Sequence, residues 1–160
     1  MTSDEITIHR GLTGVYFDRS ETTFIDGKEG VLEYRGYNIN DLAEHSTFEE
    51  TGYLLIHGKL PTQAELNEFD AELKAARELP EQIFDVIDLV KDSHPLDALR
   101  TAVSALASFD EDRNDNSAEA TIRKGNRLTS QVPAIVMAHH NIRQGKDPIK
   151  PSTTLNHAGN

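Results

Sequence analysis

The sequence predicts a mainly α-helical protein with a small β-meander near its N-terminus. After Asn38, apolar side chains recur at spacings of three and four residues, as they do on the buried face of amphipathic helices. Ser46 with Glu49, and Thr62 with Glu65, have the spacing of capping boxes, which open helices. Before Asn38, short alternating segments flank a glycine-rich turn, which is typical of strands.

The first part of the chain predicts an arm followed by the meander. Residues 1–10 are polar and predict a flexible arm, whereas residues 14–17, 22–26 and 31–35 predict three strands. Between the last two strands, Asp-Gly-Lys-Glu-Gly at 26–30 predicts a turn, because glycine supplies positive φ and aspartate favours turn entry.

Three helices follow, each with its own start or stop signal. The helix opened by Ser46 should end at Gly58, because glycine readily adopts the left-handed conformation of a helix C-cap. Thr62 opens the second of these helices and Pro80 the third. The first helix carries the apolar residues Phe48, Tyr53, Leu54 and Leu55, and the second has a narrow apolar stripe of Leu66, Phe69, Leu73 and Ala76. The third is predicted to turn Ile83, Phe84, Ile87 and Val90 inward.

His94 and Pro95 separate the third helix from the next, which is predicted to run to about Phe109. Its predicted inward residues are Leu96, Leu99, Val103 and Leu106. Because small or apolar residues cover most of its surface, we expect it to be buried in a larger core or against a partner subunit.

The remainder is a charged loop, a long helix and a turn. Residues 110–117 are the best candidate for mobility, and Asn116 with Glu119 is the predicted cap of a helix over 118–139. Pro133 predicts a kink or break in that helix. A turn is predicted at 144–148, and Lys150-Pro151 is predicted to end the organised part.

Three stretches of this chain, in order, resemble the citrate synthase family. They are the segment from Gly11 to Pro61, with its Tyr-Arg-Gly-Tyr-Asn-Ile element, the segment from Ser93 to Asp110, which begins Ser-His-Pro-Leu-Asp-Ala-Leu-Arg-Thr-Ala-Val, and the long helix ending in Gly-Lys-Asp-Pro-Ile-Lys-Pro. The resemblance covers nearly all of the chain from Gly11 onward. It implies that residues 11–160 are the N-terminal part of the family's large domain in its short bacterial and archaeal type, incomplete because the chain ends within the domain.

The resemblance also implies a reaction, the condensation of acetyl-CoA with oxaloacetate to citrate and CoA. The family uses two histidines and an aspartate as general acids and bases, and no residue here matches their motifs. We therefore assign no catalytic, cofactor-binding or metal-binding residue, expect the chemistry beyond Asn160, and expect the 160-residue chain alone to be inactive. No covalently bound cofactor is implied; acetyl-CoA and CoA are substrate and product. A homodimer is the implied assembly.

Two alternatives stay open. A 2-methylcitrate synthase, which uses propionyl-CoA, would share this part of the chain, since the residues that choose between the acyl groups are not in it. A non-catalytic helical scaffold or dimerisation fragment would share the same fold.

Composition excludes several other classes of protein. With 16 Lys and Arg against 27 Asp and Glu, the net charge is −11, which argues against nucleic acid and anionic membranes as partners. The chain has no cysteine, so disulfides, thiolate metal sites and cysteine nucleophiles are excluded. No segment has the length and apolarity of a membrane span, and the polar start does not resemble a secretory signal, so cytoplasm is the expected location.

Several residues are candidates for chemistry, and each has a structural alternative that we favour. His94 is expected to cap the helix that starts at Pro95. His139 and His140 point about 100° apart on a helix, so a surface position is expected for both. Arg35 is able to bind a phosphate or carboxylate, but we expect a structural tie to a carboxylate. Arg100 in an apolar helix is expected to need a salt bridge.

An acidic run is the remaining candidate. Asp110, Glu111, Asp112 and Asp115 offer oxygen ligands for calcium. The spacing lacks the glycine and terminal glutamate of an EF-hand loop, so a solvated loop is the favoured interpretation.

Overall fold

A computed structural model of the chain describes residues 8–16 and 18–160. Its elements are β1 (Thr23–Asp26), β2 (Val31–Tyr34), β3 (Tyr37–Asn38), α1 (Ile39–His45), α2 (Phe48–His57), α3 (Gln63–Ala75), α4 (Glu81–Leu89), α5 (Pro95–Leu106) and α6 (Ala118–Ile142). Within the described residues, six helices thus follow a three-stranded sheet, and the predicted fold class is confirmed.

The sheet is an antiparallel meander in the order β1-β2-β3. The predicted strands at 22–26 and 31–35 correspond to β1 and β2. The strand predicted at 14–17 is wrong where it is described, because residues 14–16 pair with no strand, while Phe17 lies outside the described residues. The third strand is β3 instead.

A two-residue turn explains this correction. Arg35 and Gly36 connect β2 to β3 with φ values of 51° and 83°, both in the left-handed region. Tight hairpins favour such turns because their twist matches that of the strands. Gly36 therefore reverses the chain immediately, and Tyr37 and Asn38 return alongside β2.

Helices α1 and α2 meet at a pair of hydroxyl residues. The predicted capping box at Ser46 and Glu49 is wrong by one position, because the box is formed by Thr47 and Glu50: the Thr47 amide donates to Glu50 Oε2 at 2.7 Å and the Glu50 amide to Thr47 Oγ1 at 3.2 Å. Ser46 caps the C-terminus of α1 instead. Ser46 with Glu49 and Thr47 with Glu50 both have the spacing of a capping box. Because α1 extends as far as Ser46, this residue ends α1 and Thr47 begins α2. Glu49 is thereby free to face inward.

The other predicted helix signals in this region are confirmed. Gly58 ends α2 in the left-handed conformation, with φ of 78°. Thr62 and Glu65 form the capping box of α3. On α2 and α3, Tyr53, Phe69 and Leu73 pack together as a small buried cluster.

The main core lies where α4, α5 and α6 pack together. Its fully or nearly fully buried members are Ile83, Ile87, Ala102, Leu106, Ile135 and Ala138. The predicted face of α5 is partly wrong, because Ala98 and Ala102 are buried while Leu96 is 68% exposed. Alanine at the contact allows neighbouring helices to approach closely, so the small residues face inward. Helix α5 also ends at Leu106 and not at Phe109.

Helix α6 is longer than predicted. It begins after Ser117, whose hydroxyl accepts from the Ala120 amide, so the predicted cap at Asn116 is wrong by one residue. The helix continues past Pro133 to Ile142 without a break. Ser130 and Ile135, on either side of the proline, are both buried, so packing holds both halves of the helix in place.

The C-terminal segment is more ordered than the sequence suggests. The predicted turn is confirmed by Gly145, which has φ of 70° and follows α6 directly. Beyond Pro151, where we expected organisation to end, residues 152–160 form hydrogen-bonded turns that contact α2 and Arg77, two residues beyond the end of α3. Within the part of the chain that is described, no helix is both long and apolar enough to cross a membrane.

Candidate functional site

A cleft lies between α5, the loop that follows it, and α6. Its volume is about 500 Å³. Apolar side chains of Val103, Leu106, Phe109 and Leu128 line it, together with Arg113, Lys124, Arg127, Asp110 and Glu111. An apolar floor with a few charged groups is the usual composition of a small-molecule site.

The charged groups beside the cleft are engaged with one another. Arg127 donates from Nε and Nη2 to Asp110 at 3.1 and 2.7 Å, and from Nη2 to Asp112 at 2.8 Å. Arg123 donates to both oxygens of Asp112, at 3.0 and 2.6 Å. We call these four side chains the aspartate–arginine cluster. Two-point contacts of this kind fix orientation as well as charge.

The cluster determines the protonation of Asp112. Hydrogen bonds from Arg123 and then Arg127 hold the pKa of its carboxyl well below the usual range. Such a carboxylate stays ionised and is a poor proton acceptor near neutral pH. The cluster therefore ties the loop after α5 to α6 and is poorly suited to proton transfer.

The acidic loop is thus held differently from the sequence prediction. Two carboxylates that we considered as calcium ligands, Asp110 and Asp112, are bound by arginines of α6. Asp115 accepts from the Ser117 amide at 2.8 Å, and this backbone hydrogen bond lowers the pKa of its carboxyl. The cluster was not predicted from the sequence, because Arg123 and Arg127 lie one helical turn apart and this spacing also occurs on ordinary solvated helix faces.

The candidate histidines lie apart from this cleft. His94 caps α5 as predicted, with Nδ1 accepting from the Leu96 amide at 3.3 Å. His140 is exposed, as predicted. The surface position predicted for His139 is wrong, because its side chain is buried. His139 is 5% exposed, and its Nε2 lies 3.2 Å from the Lys91 carbonyl oxygen. The buried face of α6 includes this position. The angle of about 100° between the two histidine side chains does not determine which of them lies on that face.

The two candidate arginines have structural partners. Arg35 donates from Nε and Nη2 to the Leu55 carbonyl, at 3.3 and 3.0 Å, near the C-terminal end of α2. Its carboxylate neighbour, Glu21, is 3.8 Å away and almost fully exposed, so the expected tie is chiefly to a backbone carbonyl. Arg100 pairs with Asp97 at 3.1 Å as predicted, but it is 79% exposed and not buried.

Two buried charged residues that contact the C-terminal part of the chain were not predicted from the sequence. Arg77 and Glu49 are 1% and 5% exposed, and both bind the segment Ser152–Asn160. One signal was available in the sequence, since Arg77 stands four residues after Leu73 and so continues the buried stripe of α3. A charged residue in such a position needs a partner. The partners are backbone atoms, which no side-chain pattern reveals.

Comparison with known proteins identifies the family to which the chain is similar. The family model described as "Citrate synthase, C-terminal domain" matches residues 11–160. A citrate synthase of Deinococcus radiodurans is 45% identical over 96% of this chain, and a citrate/2-methylcitrate synthase of Bacillus subtilis is 32% identical over 94%. The crystal structure of citrate synthase from Pyrobaculum aerophilum superposes with a TM-score of 0.89 and 35% identity, covering 96% of this chain and 40% of that one.

The helical fold is the one found in citrate synthases of known structure. The chain belongs to the citrate synthase family, so the resemblance seen in the sequence is confirmed. It spans about two-fifths of the relatives that it matches, 41% of the Deinococcus radiodurans protein. The prediction that these 160 residues carry no catalytic, cofactor-binding or metal-binding role stays a prediction.

Proposed function

We propose that this chain is the helical scaffold of an enzyme that condenses acetyl-CoA with oxaloacetate to give citrate and CoA. The observation that carries the proposal is the 45% identity to the Deinococcus radiodurans citrate synthase over 96% of the chain. In this proposal the acid–base chemistry depends on residues that relatives have outside the matched part, and the 160-residue chain alone does not turn over.

The described surface fits a scaffold that packs against further protein. Large apolar side chains are exposed on α5 and α6, including Leu96 at 68%, Met137 at 50% and Val136 at 46%. In this proposal these side chains contact further protein. A homodimer remains the proposed assembly and cytoplasm the proposed location.

A 2-methylcitrate synthase is the second candidate function. The Bacillus subtilis relative, whose name includes both activities, favours keeping it. The two candidates differ in the acyl group, acetyl against propionyl, and a parallel assay with both thioesters separates them only in a protein that also carries this enzyme's acyl-selecting residues.

The test is a chimera in which residues 11–160 of this chain replace the matched part of the Deinococcus radiodurans enzyme. Thiol release from acetyl-CoA and from propionyl-CoA is measured with and without oxaloacetate. We expect oxaloacetate-dependent release, and any preference between the two thioesters would report the Deinococcus part of the chimera. The unmatched remainder of the Deinococcus enzyme, expressed alone, is the control and should be inactive. A folded chimera that releases no thiol from either substrate would contradict the proposal.

A further inference from the structure

The segment Ser152–Asn160 contains no helix or strand, yet it is attached to the helical body at three points. Arg77 Nη1 donates to the carbonyl oxygens of Ser152 at 2.7 Å and Leu155 at 2.9 Å. The His157 amide donates to Glu49 Oε1 at 2.7 Å. The His157 ring stacks on Phe48, with centroids 4.1 Å apart and planes 7° from parallel. We call Ser152–Asn160 the C-terminal segment.

The segment is internally closed, so it can move as one unit. The Ser152 amide donates to Asn160 Oδ1 at 2.6 Å, and the Asn160 amide donates to the Asn156 carbonyl at 3.1 Å. Ser152 Oγ accepts from the amides of Thr154 and Leu155, both at 3.1 Å. These local bonds use only atoms of the segment and do not depend on its attachment to the body.

The attachment points are charged groups that are shielded from water. Arg77 and Glu49 are both more than nine-tenths buried, and Arg77 Nη2 has no hydrogen-bond partner among the described residues. Buried charges are costly unless they are bonded. The partners of these two are backbone groups of the segment, so attachment and burial of the charges are coupled.

His157 is the titratable group of the attachment. Of the charged groups that face it, Glu49 lies on α2 and Arg77 lies two residues beyond the end of α3. Partial burial lowers the pKa of the His157 ring, the Glu49 carboxylate opposes this, and the Arg77 guanidinium adds to it. Protonation therefore adds a cation to a half-buried stack that already lies near a buried guanidinium.

We propose that the C-terminal segment is a pH-sensitive clasp, which holds to α2 and Arg77 while His157 is neutral and loosens when His157 is protonated. The direction follows from linkage. The attached state binds the proton less readily than the free segment, so attachment is strongest above the free ring's ordinary value of about 6.5 and weakens as pH falls through the attached value. Such a device would alter the surface of α2 and α3 in mild acid without unfolding the helices.

The test is NMR on the intact 160-residue chain between pH 8 and pH 5. The ring pKa of His157 is measured in the chain and in a synthetic peptide of residues 150–160. Hydrogen-exchange protection of the His157 amide is measured at each pH and corrected for the intrinsic exchange rate. We expect a lower ring pKa in the chain. Protection of the amide should fall tenfold for each pH unit by which the two pKa values differ.

Two variants and an internal control make the result specific. His157→Gln keeps the backbone amide but cannot titrate, so its protection should not change with pH. Glu49→Gln keeps an acceptor oxygen but removes the opposing negative charge, so the ring pKa should fall further. Amides in α4, at the main core, should stay protected throughout. A ring pKa in the chain equal to or above that of the peptide, or an equal fall of protection in His157→Gln, overturns the proposal.

Discussion

Replacing two glycines of one helix by alanine should change stability in opposite directions. Gly52 lies inside α2, and a Cβ added there would meet the Phe69 ring at 3.7 Å, an ordinary contact distance. Gly58 ends the same helix with φ of +78°, and an added Cβ would have only Arg35 Cζ nearby, at 3.9 Å. Space is therefore available at both sites, and only the backbone conformation distinguishes them.

The magnitudes follow from backbone conformation. Glycine within a helix is less favourable than alanine by about 0.5–1 kcal/mol, so Gly52→Ala should stabilise by that amount. The left-handed conformation costs an L-residue about 1–2 kcal/mol. A less flexible unfolded chain recovers about 0.4–1 kcal/mol of this. Gly58→Ala should therefore destabilise by about 1 kcal/mol.

Urea unfolding followed by circular dichroism at 222 nm measures both effects. Gly125→Ala is a matched control, since this glycine lies in α6 with nothing within 4 Å of an added Cβ, and it should behave like Gly52→Ala. In thermal unfolding, each kcal/mol should shift the midpoint by about 2–4 °C for a chain of this size. Stabilisation by Gly58→Ala would refute the assignment of Gly58 as a left-handed cap.

Three further predictions test the core, a helix cap and the aspartate–arginine cluster. Ile87→Ala should cost about 2–5 kcal/mol because Ile87 is fully buried, while Leu89→Ala, at an 85% exposed position of the same helix, should stay within about 0.5 kcal/mol in urea unfolding. Thr62→Ala should cost about 1 kcal/mol by removing the α3 cap, and Thr62→Ser should keep most of the stability; equal losses would contradict the capping box. The lowered pKa of Asp112 stabilises the native state above the unfolded value and loses this contribution as pH falls through the native value, so Asp112→Asn should be less stable at pH 6 and the difference should shrink below about pH 4. A pH-independent difference in unfolding free energy would contradict that account.

Local sequence signals predicted much of the helical fold, because caps and breaks depend on few residues. Thr62, Gly58 and Pro95 each specify one helix end through their own chemistry. The capping box at Ser46 was predicted wrongly because Thr47 has the same spacing to a glutamate. Only the length of α1 determines which of the two residues opens α2. The face of α5 was partly misassigned because its alanines and leucines are both apolar, and the partner helices choose between them.

The sites were harder to predict than the helices, because their partners are far apart in sequence. Arg77 binds carbonyl groups 75 and 78 residues further on, and Glu49 binds an amide 108 residues away. A backbone group looks the same at every residue, so no sequence pattern identifies these partners. The pairing of Arg123 and Arg127 with the acidic loop likewise required the packing of α5 against α6.

We propose that this chain supplies the scaffold, and not the chemistry, of a citrate synthase. The most direct measurement is oxaloacetate-dependent thiol release from acetyl-CoA by the purified 160-residue chain, with propionyl-CoA run alongside and the intact mass of the same sample confirmed. We predict helical circular dichroism with no thiol release above the rate without protein. Turnover by a sample of the confirmed mass would contradict this proposal. Substitution of His94, His139 and His140 would then test whether any of them is a catalytic group.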